Sequence, residues 1–149
     1  MQTLFDPAVY AGVLRRVDSI QPGSRRQWGK MSVAQMLEHV ARALEMATGK
    51  KPRKQAFLGK LIGWIFRKGF VGPDPFPKDS PTAPDFVVQG EPDFGPTKDR
   101  VKALLSEFQA RGEKGCDGYI HGFFGAMTGA EWGVTQFKHL DHHLRQFGV

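Results

Sequence analysis

The chain has 149 residues, 40% of them hydrophobic and 24% charged, with a formal net charge of +6. That length fits a single domain over residues 1–149 able to bury a core without staples, and the composition excludes disorder of the whole chain. One cysteine, Cys116, excludes a disulfide framework, and no run approaches the ~18 uninterrupted apolar residues of a spanning helix.

The opening MQTLFD lacks a basic region leading into an apolar run, so no secretory signal is expected and a cytoplasmic location is. The first helix is predicted over residues 6 to 19, with Asp6 as its cap, Pro7 in its first turn and Val9, Val13, Leu14 and Val17 at helical spacing. Gln21-Pro22-Gly23-Ser24 stops it. The second helix has the clearest signature. Ser32 and Gln35 form a capping box, Met31 is placed as its apolar staple, and Val33, Met36, Leu37, Val40, Leu44 and Ala47 make one stripe before Gly49.

Residues 57 to 71, FLGKLIGWIFRKGFV, read as a short helix weakened by three glycines, with Trp64 and Phe66 expected to pack on the bundle. Residues 72 to 96 carry seven prolines, a density that excludes regular helix and marks a long connection, of the kind that is often functional or mobile. The third main helix is predicted from about Thr97 to Ala110, on the stripe Val101, Leu104, Leu105 and Phe108, closed by Gly112 and Gly115. The fourth begins at a second capping box, Thr128 with Glu131, and runs nearly to the end through Trp132, Phe137, Leu140, Leu144 and Phe147. No run of strands is evident. Four main helices with long connections predict an all-α four-helix bundle.

The chemistry concentrates in the histidines. Of His39, His121, His139, His142 and His143, three lie in KHLDHHLRQFGV. Residues four apart share a helix face, so His139 and His143 point the same way, as two ligands of one divalent ion do. With Leu140, Leu144 and Phe147 as the buried direction, His143 and His139 fall on one shoulder, and His142 falls almost opposite, toward water. His39 lands on the shoulder of the second stripe. A site at the mouth of a bundle is built from such shoulder positions, with a third ligand from a facing helix. The same residues also read as polar groups at the bundle edge, with His39 bonded to backbone. There is no HExxH, and Glu38, beside His39, points about 100° away from it on the helix.

Helix two, WGKMSVAQMLEHVARALE, and helix four, EWGVTQFKHLDHHLRQFG, resemble the DinB/YfiT-like superfamily, the H-x-x-H-H-x-x-Q pattern being the specific part. HGFFGAMTGAEWG looks like one branch of uncharacterised bacterial proteins within it. The resemblance implies a four-helix bundle of the DinB type, up-down-down-up, here with a long proline-rich connection. It also implies a divalent ion, nickel or zinc, held by His39, His139 and His143. Some members are metal-dependent thiol transferases or isomerases, which implies a low-molecular-weight thiol and an electrophilic small molecule as partners. The loop 72–96 has no counterpart in the compact transferases; covering the site or shaping a pocket is its expected role. His121 is a candidate extra ligand or supporting partner, and equally an exposed loop histidine. Cys116, a loop cysteine between glycines, reads as incidental.

Other classes compete. A binding or scaffold module would contact nucleic acid or another acidic partner through residues 50–68, where Lys50, Lys51, Arg53, Lys54, Lys60, Arg67 and Lys68 cluster. No DNA-reading motif or single-strand stacking pattern accompanies them, so nucleic acid is disfavoured. Residues 57 to 71 also fit an amphipathic surface helix, but core packing explains the same residues and disfavours a membrane. No heptad seam demands a partner helix, leaving monomer or homodimer.

Overall fold

The computed structural model describes residues 1–149, the side chain of Asp85 excepted. Its order is α1 (Pro7–Ser19), α2 (Val33–Ala47), α3 (Phe57–Val71), a 3-10 turn (Pro84–Phe86), α4 (Phe94–Cys116), β1 (Ile120–His121), β2 (Gly125–Ala126) and α5 (Gly129–Gln146). The protein is mostly helical. The two short strands pair antiparallel, Ile120 with Ala126 and His121 with Gly125.

Local chemistry starts three of the helices where the sequence predicts. Asp6 accepts from the backbone N–H groups of Ala8 and Val9 at the head of α1. Ser32 and Gln35 close a reciprocal box at α2, and Thr128 and Glu131 do the same at α5. Each satisfies N–H groups that a helix start otherwise leaves without partners.

One hydrophobic cluster runs from Leu4 to Phe147 and draws on α1, α2, α4 and α5. Trp132, Phe108, Leu105, Leu44 and Leu4 have no exposed surface. An ion-pair lattice ties α4 to α2 at the edge of this core: Arg100 bridges Glu38 at 2.6 Å and Glu45 at 2.5 Å, and Arg42 joins Glu38 at 2.8 Å. Both oxygens of Glu38 are thereby engaged.

Three expectations change. The third main helix, Phe94–Cys116, starts three residues before the predicted Thr97 and is followed beyond Gly112 by a short further turn. Pro96 sits in its first turn, where the missing N–H has no helical partner to lose. Gly112 interrupts it as predicted: at φ 64° and ψ -178° it leaves helical geometry, and a short further turn then carries the chain to a fully buried Cys116. Cys116 is therefore a core residue at a helix end, and burial pushes its thiol up to about 11. Finally, α3 has the predicted bounds but the opposite orientation. Trp64 is 73% and Phe66 56% exposed, while Gly59 and Gly63 face the body of the protein. A Cβ at either glycine would strike the Phe123 carbonyl, so the helix backbone itself makes the contact.

Candidate metal centre

His39 projects from the middle of α2, and His139 and His143 from successive turns of α5. Met36, Val40 and Leu44 on α2, and Leu140 and Leu144 on α5, fill the core and leave the three imidazoles on adjoining shoulders. Their ring centroids stand 4.7 to 4.9 Å apart. The three ligand atoms all lie within 4.8 Å of one another, an arrangement that can hold a metal ion. His39 Nε2 is 2.9 Å and His143 Nε2 3.1 Å from His139 Nε2. Imidazole nitrogens at usual bond lengths from a common ion stand about 2.9–3.4 Å apart, so the spacing fits.

The partners of the other ring nitrogens set the tautomers. His39 Nδ1–H donates to the Phe86 carbonyl at 3.2 Å, and His143 Nδ1–H donates to Gln146 Oε1 at 2.9 Å. Gln146 is oriented in turn, because its Nε2 donates to the Trp28 carbonyl at 2.9 Å. Gly29 leaves room for that amide; a Cβ there would collide with Gln146 Nε2. With Nδ1 protonated, His39 and His143 both present bare Nε2 lone pairs to His139. His139 can offer at most one proton from Nε2, so at most one of the two short contacts is a hydrogen bond. Its Nδ1 is buried and has no partner. A cation at the convergence point satisfies all three lone pairs together.

Burial holds every member below the ordinary imidazole range. His39 is lowered by desolvation, then by Arg42 and His142, against the Phe86 hydrogen bond. His139 lies well below, through burial and then the charges of His143 and His39. His143 is pushed down to about 3, by burial first and His39 second. All three are neutral near pH 7, the state in which imidazole binds metal.

The connection 72–96 lies over this end of the molecule. The Phe86 carbonyl holds His39, and its ring meets the His39 ring edge-on at 5.8 Å. The Phe76 carbonyl accepts from His142 Nδ1 at 3.3 Å. His142 is therefore half-buried against Trp28 and Phe76 instead of turned to water. The loop supplies the acceptor that the helix wheel omits.

His121 stays outside the triad. Its Nδ1 accepts from the Phe123 and Phe124 N–H groups at 3.1 and 3.3 Å, so the neutral ring carries its proton on Nε2. Burial, then Arg67, pushes it down to about 4. It stands among Phe70, Phe124 and Trp132, close enough that in its protonated form it would add a small depression of His139. Among the described residues no carboxylate joins the histidines. Sequence reasoning omitted the orienting roles of Gln146 and of the Phe86 carbonyl. Gln146, in the H-x-x-H-H-x-x-Q pattern three residues after His143, was the available signal.

Comparison with known proteins adds a family and little else. No curated protein and no solved structure matches the chain. A family model matches residues 9–148, and with that span the chain belongs to the family described as "Protein of unknown function (DUF1569)".

Proposed function

We propose that His39, His139 and His143 hold one divalent ion, zinc or nickel, through their Nε2 atoms, and that the protein is a metal-dependent enzyme of the thiol-transferase kind. The observation that carries the metal reading is the convergence of three Nε2 atoms, two of them fixed as bare lone pairs by partners on Nδ1. An all-nitrogen set of neutral imidazoles suits zinc or nickel more than the oxygen-seeking calcium or magnesium. The resemblance to DinB-like proteins supports the same ligands and an up-down-down-up course for the four core helices. It is also the ground for a low-molecular-weight thiol as co-substrate with an electrophilic small molecule.

An ion with three protein ligands and an open position lowers the pKa of a bound thiol or water and supplies a nucleophile near neutral pH. The chain's own residues do the rest. Gln146 and the Phe86 carbonyl orient His143 and His39. His139 alone of the three keeps part of its surface exposed although its ring nitrogens are deeply enclosed, so an approach to the site would lie along its edge. Phe70, Phe76 and Phe124 form an apolar wall nearby, with ring centroids 4.4 to 4.8 Å apart, against which an apolar electrophile can rest. Glu38 is occupied by two arginines and takes no part as a base.

The test is metal content by inductively coupled plasma mass spectrometry, on untagged protein beside the His139→Ala/His143→Ala double variant. About one divalent ion per chain, lost in the variant, is expected. With the metal in place, thiol-dependent consumption of an electrophile should likewise need both histidines. No metal in either protein after reloading with zinc or nickel overturns the reading.

A further inference from the structure

α3 is built inside out. Large side chains of a surface helix normally face the core. Here the helix meets the body through Gly59 and Gly63, whose backbone lies on Phe123. Arg67 Nη2 pairs with Glu131 at 2.6 Å, and Lys138 Nζ donates to the carbonyls of Gly69, Phe70 and Gly72 at the helix end. With the helix so anchored, Phe57, Leu58, Leu61, Trp64, Ile65 and Phe66 are each more than half exposed. They are six of the eight large exposed hydrophobics among the described residues. On a helical wheel Trp64, Phe57, Leu61, Ile65 and Leu58 fall within an outward arc of about 120°. A contiguous apolar stripe of this kind marks an interaction surface.

Charge identifies what covers it. No Asp or Glu occurs between Met46 and Pro73, a stretch that holds seven Lys and Arg. Lys50, Lys51 and Arg67 pair with Glu107, Glu45 and Glu131. Lys54, Lys60 and Lys68 are exposed and make no ion pair among the described residues. Lys68 lies within the apolar arc, Lys60 at its edge, and Lys54 just before the helix. A second copy docked on the same face would set these uncompensated lysines against each other. An anionic surface that is apolar beneath answers both features.

We propose that α3 is an interfacial helix that seats the protein on an anionic lipid bilayer, with its apolar stripe at the boundary of headgroups and acyl chains and its lysines among the headgroups. Trp64 sits where an aromatic ring favours the membrane–water boundary. The helix lies on the bilayer and does not span it. Its 15 residues reach about 22 Å against a hydrocarbon core of about 30 Å. No helix of the protein is long and apolar enough to cross. Residues 57 to 71 are thus released from the core packing that disfavoured a membrane in the sequence.

Co-sedimentation with phosphatidylcholine vesicles containing about 30% phosphatidylglycerol tests this. The whole protein should bind them at least roughly tenfold more tightly than pure phosphatidylcholine, and the advantage should shrink at high salt. Leu61→Ala/Trp64→Ala and, separately, Lys60→Glu/Lys68→Glu should each weaken binding by roughly tenfold or more while the circular dichroism spectrum stays that of the parent. These side chains face outward, so neither variant disturbs the core. Failure to sediment with the anionic vesicles overturns the proposal, as does undiminished sedimentation of both variants. A concentration-dependent dimer abolished by Leu61→Ala/Trp64→Ala assigns the face to a second copy instead. Oligonucleotide binding lost in Lys60→Glu/Lys68→Glu, without vesicle binding, assigns it to nucleic acid.

Discussion

Gln146 sets the tautomer of His143, and through it would govern binding of the proposed ion. It is 3% exposed, and its two amide atoms do separate jobs, Oε1 accepting from His143 and Nε2 holding the Trp28 carbonyl. Gln146→Leu keeps the volume and removes the acceptor. His143 is then free to carry its proton on Nε2, the tautomer that cannot ligate. The expected outcome is roughly 10- to 100-fold weaker zinc affinity, read by competition with a chromophoric chelator. That His139 and His143 share a face was legible from helical spacing alone, while for His39 spacing gave only a shoulder position on another helix. The partners on their Nδ1 atoms were not legible, since Phe86 is 47 positions from His39 and Trp28 is 118 from Gln146. Tertiary hydrogen bonds of that reach leave no periodic trace. His142 was misread for the same reason: the wheel measures direction on its own helix and is blind to a loop that arrives at Phe76 to cover the other side.

Helices were legible where side chains cap their own backbone. Asp6, Ser32 with Gln35, and Thr128 with Glu131 place the starts of α1, α2 and α5 within a residue. α4 has no side-chain cap bond, and its start was misplaced, while the break at Gly112 was legible but the turn beyond it was not. Proline in a first turn and glycine at a kink use the same letters as a stop signal. α3 carries a different lesson. Hydrophobic periodicity reports large side chains, and here the packing face is glycine, which such a pattern counts as blank. Gly63→Val would put side-chain atoms into the Phe123 carbonyl and lift α3 from the body. We expect a loss of about 1–3 kcal/mol in α3 docking, seen as faster tryptic cleavage at Lys60, Arg67 and Lys68, with metal content kept. Gly69→Ala, where nothing lies within 4 Å, should leave cleavage unchanged or slow it.

For the molecule as a whole, the proposed ion, shared between α2 and α5, would be a clamp across one end of the core. Saturation at about 100 times Kd contributes about 2.7 kcal/mol, which for a chain of this size is a shift of roughly 5–11 °C in Tm. Chelation should therefore lower Tm by that amount in the parent, and not in His139→Ala/His143→Ala. Acid should act in the same direction. In the metal-free protein, burial keeps His121 and His143 neutral down to about 4 and about 3, and lowers His39 and His139 as well. The unfolded chain takes up protons on the same groups from about pH 6.5 downward. It then binds more protons than the native state, so stability is complete above pH 6.5 and falls steadily between there and about pH 3–4. Urea midpoints across that range check the slope.

His39 and His139 bring their Nε2 atoms to 2.9 Å across 100 positions of sequence. During synthesis this separation is also a delay. Once His39 has been made, the chain must still add α3, the proline-rich connection and α4 before the first ligand of α5 exists, and one imidazole alone is a poor trap for a metal. The centre can be charged only after translation has passed His143 and α5 has docked. An ion held by the proposed centre would be chosen by the finished fold, from whatever the compartment offers at that moment.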